Sequence, residues 1–267
     1  MIGIIAGTGN LPIEACVSLL QQKKQFFIIP LFPEDNLQQL ESVTKKQIPI
    51  FPKTIAKASD IIKTLQSQKT TQVLLIGKVD KRNLLKKIKF DWFGIKFFAR
   101  ITCQSDKTIM EAILAEFKKL GISILSQKDV LGNLTVPPGI LTGKINEQLK
   151  ENIEFGIKAA ENISHYDIGQ TVVVKDKMIL AVEAIEGTDN CIKRGIEIGK
   201  EDVVICKGAT HTQSKKYDLP TLGPQSLENL RQGQVKAIAW QSSQTFVIQK
   251  EEFVARAKKL KITLVSM

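Results

Sequence analysis

Apolar positions along the chain come in short runs separated by amphipathic stretches. MIGIIA at 1–6 is the first run; Gly7 and Gly9 end it, and the pattern from Leu11 to about Gln22 predicts a helix. FFIIPLF at 26–32 predicts a second strand, PIF at 49–51 precedes a helix near 53–67, and QVLLIG at 72–77 predicts a further buried strand. After Asp106, Ile109, Ile113 and Phe117 share one face of a helix running to about Leu120, which Gly121 stops before a strand at ISIL. Strands alternating with helices in this way predict a parallel, doubly wound sheet.

LGNLTVPPGILTGK at 131–144 then concentrates Gly, Pro and Thr, as a domain boundary does. A helix is expected from about Asn146 to Ile163, and VVVKDKMILAV at 172–182 predicts a hairpin turning at Asp176 and Lys177. Helices near 189–198, 224–232 and 250–260 alternate with the strands VVIC, KAIAW, TFVI and ITLVS. The expected fold class is therefore α/β: a Rossmann-like parallel-sheet domain over 1–132, a linker over 133–144, and a mixed α/β catalytic domain over 145–267, with a cleft between the two.

Composition narrows the class. With 43% apolar and 24% charged residues in 267, each half is able to bury a core. No apolar run approaches the roughly 20 residues of a bilayer span, and MIGIIAGTGNLP lacks the charged and apolar blocks of a leader, so a cytoplasmic protein is expected. Cys16, Cys103, Cys191 and Cys206 show no CxxC spacing, which predicts reduced, mostly buried thiols. The excess of 38 Lys and Arg over 27 Asp and Glu, a net +11, favours polyanionic partners: phosphorylated metabolites, anionic lipid or nucleic acid.

Several stretches carry candidate chemistry. GTGNLP at 7–12 offers backbone amides and two glycines ahead of Pro12, which suits either a bound phosphate or a tight turn. Residues 78–100 interleave Lys78, Lys81, Arg82, Lys86, Lys87, Lys89, Lys96 and Arg100 with Phe90, Trp92, Phe93, Phe97 and Phe98. Such a segment suits an anionic membrane interface, a loop closing over the core, or stacking on RNA, although no nucleic-acid-binding motif accompanies it. His165 and His211 are the only histidines, so a metal must lean on carboxylates, which favours magnesium, with manganese as the alternative ion. Asp106, Asp189 and Asp218 each fall at an expected loop or helix start. Thr188 and Asp189 are good helix-capping residues, and the same helix start is also an anion site.

Together these stretches resemble the UDP-2,3-diacylglucosamine pyrophosphatase family of lipid A biosynthesis. The resemblance rests on IGIIAGTGNLP, LIGKV at 75–79, SDKTIMEAILAEF at 105–117, GILTG at 139–143, VVVKDKMILAVEAIEGTD at 172–189 and YDLPTLGP at 217–224, in the family's order. It implies a two-domain enzyme at the cytoplasmic face of the inner membrane that hydrolyses a lipid-linked UDP-sugar with magnesium, giving UMP and 2,3-diacylglucosamine 1-phosphate (lipid X). Anionic inner-leaflet lipid is then the expected surface partner, nucleic acid is not expected, and a homodimer stays open.

Carried onto this chain, the resemblance implies substrate contacts from Gly7, Gly9, Asn10, Leu11, Lys78, Thr188, Lys207 and Gln213. It assigns catalysis to Asp218 and Asp189, and the metal to Asp218, Asp189 and Asp106. The chain departs from the family pattern at Ser105-Asp106-Lys107, where Gly-Asp-Asp is usual, and at Thr210, His211, Ser214 and Lys216. Two readings of other classes stand beside this one. A nucleotide-dependent oxidoreductase requires an acidic residue closing the second strand, and a non-catalytic protein would bind lipid or RNA through residues 78–100.

Overall fold

The computed structural model describes residues 1–79, 106–209 and 219–267, with side chains excepted at 106–109. They fall into two compact units, 1–131 and 132–209 with 219–267. Elements are numbered below over the described residues.

The first unit opens with β1 (Ile2–Ala6), α1 (Leu11–Gln21), β2 (Phe26–Pro30), α2 (Pro33–Val43), α3 (Ala58–Ser67) and β3 (Gln72–Ile76). It closes with α4 (Asp106–Lys119), β4 (Ser123–Ile124) and α5 (Gln127–Leu131). Its sheet runs β2-β1-β3-β4 with every pairing parallel. β1 and β2 are buried at all five positions, as continuous apolar runs must be when helices cover both faces. Ile5, Phe27, Ile29, Leu65, Val73, Phe117 and Ile122 form one core layer. Because β1 sends its chain to β2 on one side while β3 lies on the other, the order reverses at the carboxyl end of β1. The glycine loop sits at that end.

Helix α2 was not expected, because PEDNLQQLESV is polar. It forms nonetheless, with Pro33 at its first position, Glu34 and Asp35 in the first turn, and Asn36 and Leu40 buried.

The second unit comprises β5 (Gly139–Thr142), α6 (Glu147–His165), β6 (Thr171–Lys175), β7 (Met178–Val182), α7 (Thr188–Gly199), β8 (Val203–Lys207), β9 (Thr221–Leu222), β10 (Val235–Trp240), β11 (Phe246–Val247), α8 (Lys250–Lys259) and β12 (Thr263–Ser266). A six-stranded sheet has the order β5-β12-β10-β8-β6-β7, and β9 pairs with β11 in a separate two-stranded sheet. β8, β10 and β12 are mutually parallel, whereas β5 and β6 run antiparallel to their neighbours. β7 is antiparallel to β6 and so points the same way as β8. Four strands therefore end on one edge.

Side chains alternate across this sheet, with a shift of register in β10 between Val235 and Ala237. Val172, Val174, Val204, Cys206, Ala237, Ala239 and Val265 pack with Leu149, Ile153, Ile157 and Ala160 of α6. Val173, Val203, Ile205, Ile238, Trp240 and Leu264 face the other way, with Cys191 and Ile192 of α7 and Phe253 and Ala257 of α8. The period of two thus assigns every residue of β8 to a face, and Lys207 belongs with Val203 and Ile205. α6 begins at an N-cap where Asn146 Oδ1 accepts from the Leu149 amide at 2.8 Å, a bond that stabilises a helix by about 1 kcal/mol.

Two expectations are corrected. The region 224–232 holds only a single 3₁₀ turn, Pro224–Leu227, because Gly233, at φ +87°, turns the chain directly into β10. TFVI contributes only Phe246–Val247, which pairs with β9 outside the main sheet. In the stretch expected as a linker, residues 139–142 form β5. The β6–β7 turn falls at Asp176 and Lys177, both at positive φ, as a two-residue hairpin turn requires.

Candidate functional site

In the first unit the glycine loop is defined by main-chain bonds. The Thr8 amide donates to Lys78 O at 2.8 Å and the Lys78 amide returns to Thr8 O at 2.9 Å, so loop and β3 end are locked together. Gly7 lies beneath this bridge: a Cβ there would stand 2.4 Å from Lys78 O, leaving no room for any side chain. Asn36 of α2 ties the loop from outside, its Nδ2 donating to Gly7 O at 2.6 Å.

α1 then starts after Asn10, which occupies the N-cap without a side-chain cap bond. The amides of Gly9, Asn10 and Leu11 have no acceptor among the described residues. Gly7, Gly9, Asn10, Leu11 and Lys78 are thus brought together, and free amides at a helix start form an anion cradle.

In the second unit the edge where β7, β8, β10 and β12 end carries a second constellation. β8 delivers Lys207, only 7% exposed, and α7 delivers Thr188 from its first position. Lys207 Nζ donates to Thr188 Oγ1 at 3.2 Å, and Thr188 Oγ1 donates to Glu183 Oε1 at 2.7 Å. The second carboxylate oxygen of Glu183 accepts from the Gln170 amide at 3.2 Å. A buried ammonium costs several kcal/mol unless hydrogen bonds and opposite charge compensate it, and this chain provides both.

Glu183 was not singled out in the sequence. It follows β7 by one residue, and only the β6–β7 pairing brings it beside Gln170 and the end of β8. Its one sequence signal is its place inside VEAIEGTD.

The segment between β7 and α7 is held firmly. Arg194 pairs with Glu186 at 2.5 Å and also donates to Val182 O at 2.9 Å, while Asn190 Nδ2 donates to Glu186 O at 2.9 Å. Main-chain hydrogen bonding first, then Arg194, holds the Glu186 carboxyl below its ordinary range. Gly187 sits at φ +82°, a conformation that favours glycine, and it occupies the N-cap of α7.

This corrects the capping expectation. Neither Thr188 nor Asp189 caps the helix with its side chain: Thr188 turns back to Glu183, and no side-chain cap bond forms. The amides of Thr188, Asp189 and Asn190 accordingly have no acceptor among the described residues. Three free amides and a buried lysine at one helix start suit a phosphoryl group.

Asp189 is exposed in the first turn of α7, with no hydrogen-bond or ion-pair partner among the described residues. Asp106 opens α4 in the first unit. Asp218 and Gln213, and nearly all of the basic aromatic segment 78–100, lie outside the described residues. Among the described residues no three His, Cys, Asp or Glu side chains are grouped to hold a metal. Asp189 is a hard oxygen donor with no partner among the described residues, and its chemistry fits magnesium.

Residues 1–134 match the LpxI N-terminal domain and residues 137–265 the LpxI C-terminal domain. The chain belongs to the LpxI family. It is similar to the UDP-2,3-diacylglucosamine pyrophosphatase LpxI of Caulobacter vibrioides, at 26% identity over 97% of this chain and 94% of that protein. Among the described residues no helix is long and apolar enough to cross a membrane.

Within this LpxI chain, the oxidoreductase requirement is unmet at the end of the second strand. β2 stops at Pro30, and Glu34 and Asp35 belong to the first turn of α2.

Proposed function

We propose that this chain hydrolyses the diphosphate of UDP-2,3-diacylglucosamine, releasing UMP and 2,3-diacylglucosamine 1-phosphate. Membership of the LpxI family and the name of the Caulobacter relative support the substrate. The observation that carries the reading is the buried Lys207 held through Thr188 to Glu183 at the uncapped start of α7.

Attack on a diphosphate demands mainly positioning and neutralisation of charge. In this reading the ammonium of Lys207 and the amides of Thr188, Asp189 and Asn190 receive phosphoryl oxygens. Glu183 accepts the hydrogen bond of the Thr188 hydroxyl, so the Thr188 lone pairs stay turned toward Lys207 and fix its ammonium. The amides of Gly9, Asn10 and Leu11 offer the nucleotide a second set of donors. Asp218 orients the attacking water. Magnesium, held by Asp189 and Asp218 with Asp106, would supply further neutralisation of the diphosphate. Residues 78–100 bring the enzyme to anionic lipid at the cytoplasmic face of the inner membrane.

The deciding experiment incubates the purified full chain with UDP-2,3-diacylglucosamine, magnesium or manganese, and detergent, and follows UMP in oxygen-18 water. UMP release, with the label in one product, is expected. No UMP under either metal, with or without added lipid, overturns the reading.

A further inference from the structure

Strand register sets four side chains in one row across the second sheet. Thr171 of β6 lies opposite Lys207 of β8, Lys207 opposite Trp240 of β10, and Trp240 opposite Ser266 of β12. All four share the face that α7 and α8 cover, since each continues the alternation of Val173, Ile205, Ile238 and Leu264. They also end the strands on the edge where Thr188 meets Lys207.

The polar atoms in this row are unequal. Ser266 Oγ donates to Val136 O at 2.9 Å and is satisfied. Thr171 Oγ1 and Trp240 Nε1, on either side of Lys207, are fully buried and have no hydrogen-bond partner. More than nine in ten buried polar groups in folded proteins are paired, so two orphans flanking one buried lysine call for an explanation. The first turn of α7 lies directly over Thr171, whose carbonyl accepts from Cys191 Sγ at 3.8 Å. An indole N–H and an ammonium can only donate, and a hydroxyl can also donate. Three residues able to donate thus stand in register on neighbouring strands, the charged one central, a row that suits an anion made of acceptors.

We propose that Thr171 and Trp240 are further donors to the phosphoryl group, flanking Lys207 at the base of the site. This rests on the reading of that edge as the diphosphate site. The two groups stay unpaired in the free protein because their partner is the ligand, so their presence lowers stability in exchange for binding.

The test uses the full chain with Thr171→Val, Thr171→Ser and Trp240→Phe. Thr171→Val should melt at or above the wild-type temperature, because it removes an orphan hydroxyl. Its affinity for inorganic diphosphate, measured by calorimetry, should fall roughly tenfold, as for one lost hydrogen bond to a charged group. KM for the lipid-linked substrate should rise similarly, with kcat within about twofold, the signature of lost uniform binding. Thr171→Ser should bind like wild type, and Trp240→Phe should weaken diphosphate binding in protein shown to be folded by circular dichroism. In a Trp92→Phe background Trp240 is the one tryptophan left, and saturating diphosphate should shift its emission.

Unchanged diphosphate affinity and KM in Thr171→Val and Trp240→Phe overturn the proposal while leaving the hydrolase reading intact. So does a Thr171→Val protein that melts well below both wild type and Thr171→Ser, since the hydroxyl would then serve the fold. A wild-type chain that releases no UMP, yet loses diphosphate affinity in both variants, overturns the hydrolase reading and leaves the donors standing.

Discussion

Lys207 Nζ stands 3.2 Å from Thr188 Oγ1, joining the last residue of β8 to the first of α7. Replacing Lys207 by Met keeps most of the aliphatic stem and removes the charge. Loss of one preorganised electrostatic donor typically costs about 10²–10³ in kcat, and a loss of that order in UMP release is expected here. Near-normal turnover in folded Lys207→Met would remove Lys207 from the site.

Thr188 should matter to turnover and also to stability, but not as a cap. Its side chain does not cap α7, so the loss of stability in Thr188→Val, about 1–3 kcal/mol, comes from taking the hydroxyl partner away from buried Lys207 and from Glu183. Activity should fall roughly tenfold, because the bonds to Glu183 and Lys207 are both lost, and Thr188→Ser should restore it. Paired melting curves and UMP assays separate the two effects.

The glycine loop predicts a steric contrast. In Gly7→Ala the new methyl would meet Lys78 O at 2.4 Å, which is main chain and locked by the Thr8 bridge. Overpacking of this kind costs about 1–3 kcal/mol, so a lower midpoint in urea is expected. Gly132→Ala meets nothing within 4 Å and should leave the midpoint nearly unchanged.

Acid should loosen the β7–α7 connection. Because the Glu186 carboxyl is held below its reference value of 4.5, folding gains from its ionisation. That gain is complete above the unfolded value and disappears as pH drops through the lower folded one. The melting temperature of Glu186→Gln should therefore lie below that of wild type at pH 7 and converge with it at about pH 3, a window set by the ordinary carboxylate range.

The described thiols should be inert. Burial pushes Cys16 and Cys191 up to about 12, and raises Cys206 as well. Thiolate is the reactive form, so peptide mapping after treatment with a thiol reagent at pH 8 should find Cys16, Cys191 and Cys206 unlabelled until the chain is unfolded.

Local pattern made most of the architecture legible. Continuous apolar runs marked β1, β2 and β3, the Asp176-Lys177 turn marked the hairpin, and the Asn146 cap sits where a helix start was expected. Helix α2 was hidden because its stability comes from Asn36 and Leu40 packing inward, not from a broad apolar stripe. The helix expected over 224–232 is reduced to one 3₁₀ turn, which buries Leu227 while Leu230 beyond it packs half-buried against the same core.

Within the candidate site, Thr188 and Lys207 were readable as residue types in recognisable stretches. Glu183, Thr171 and Trp240 were not, because their roles depend on which strands lie side by side. β6, β8 and β10 are separated by 20 residues or more, and no local spacing records that they align at Thr171, Lys207 and Trp240.

Alternation along β8 has a final consequence for how this chain tolerates change. Cys206 lies in the α6 layer and Lys207 in the opposite one. Deleting a single residue between Val203 and Lys207 would exchange the two, setting an ammonium among Leu149, Ile153 and Val172 and a thiol beneath α7. The charge that serves the site and the apolar layer that supports it are separated by one step of the pleat, so insertions and deletions belong in the loops, where they leave that parity intact.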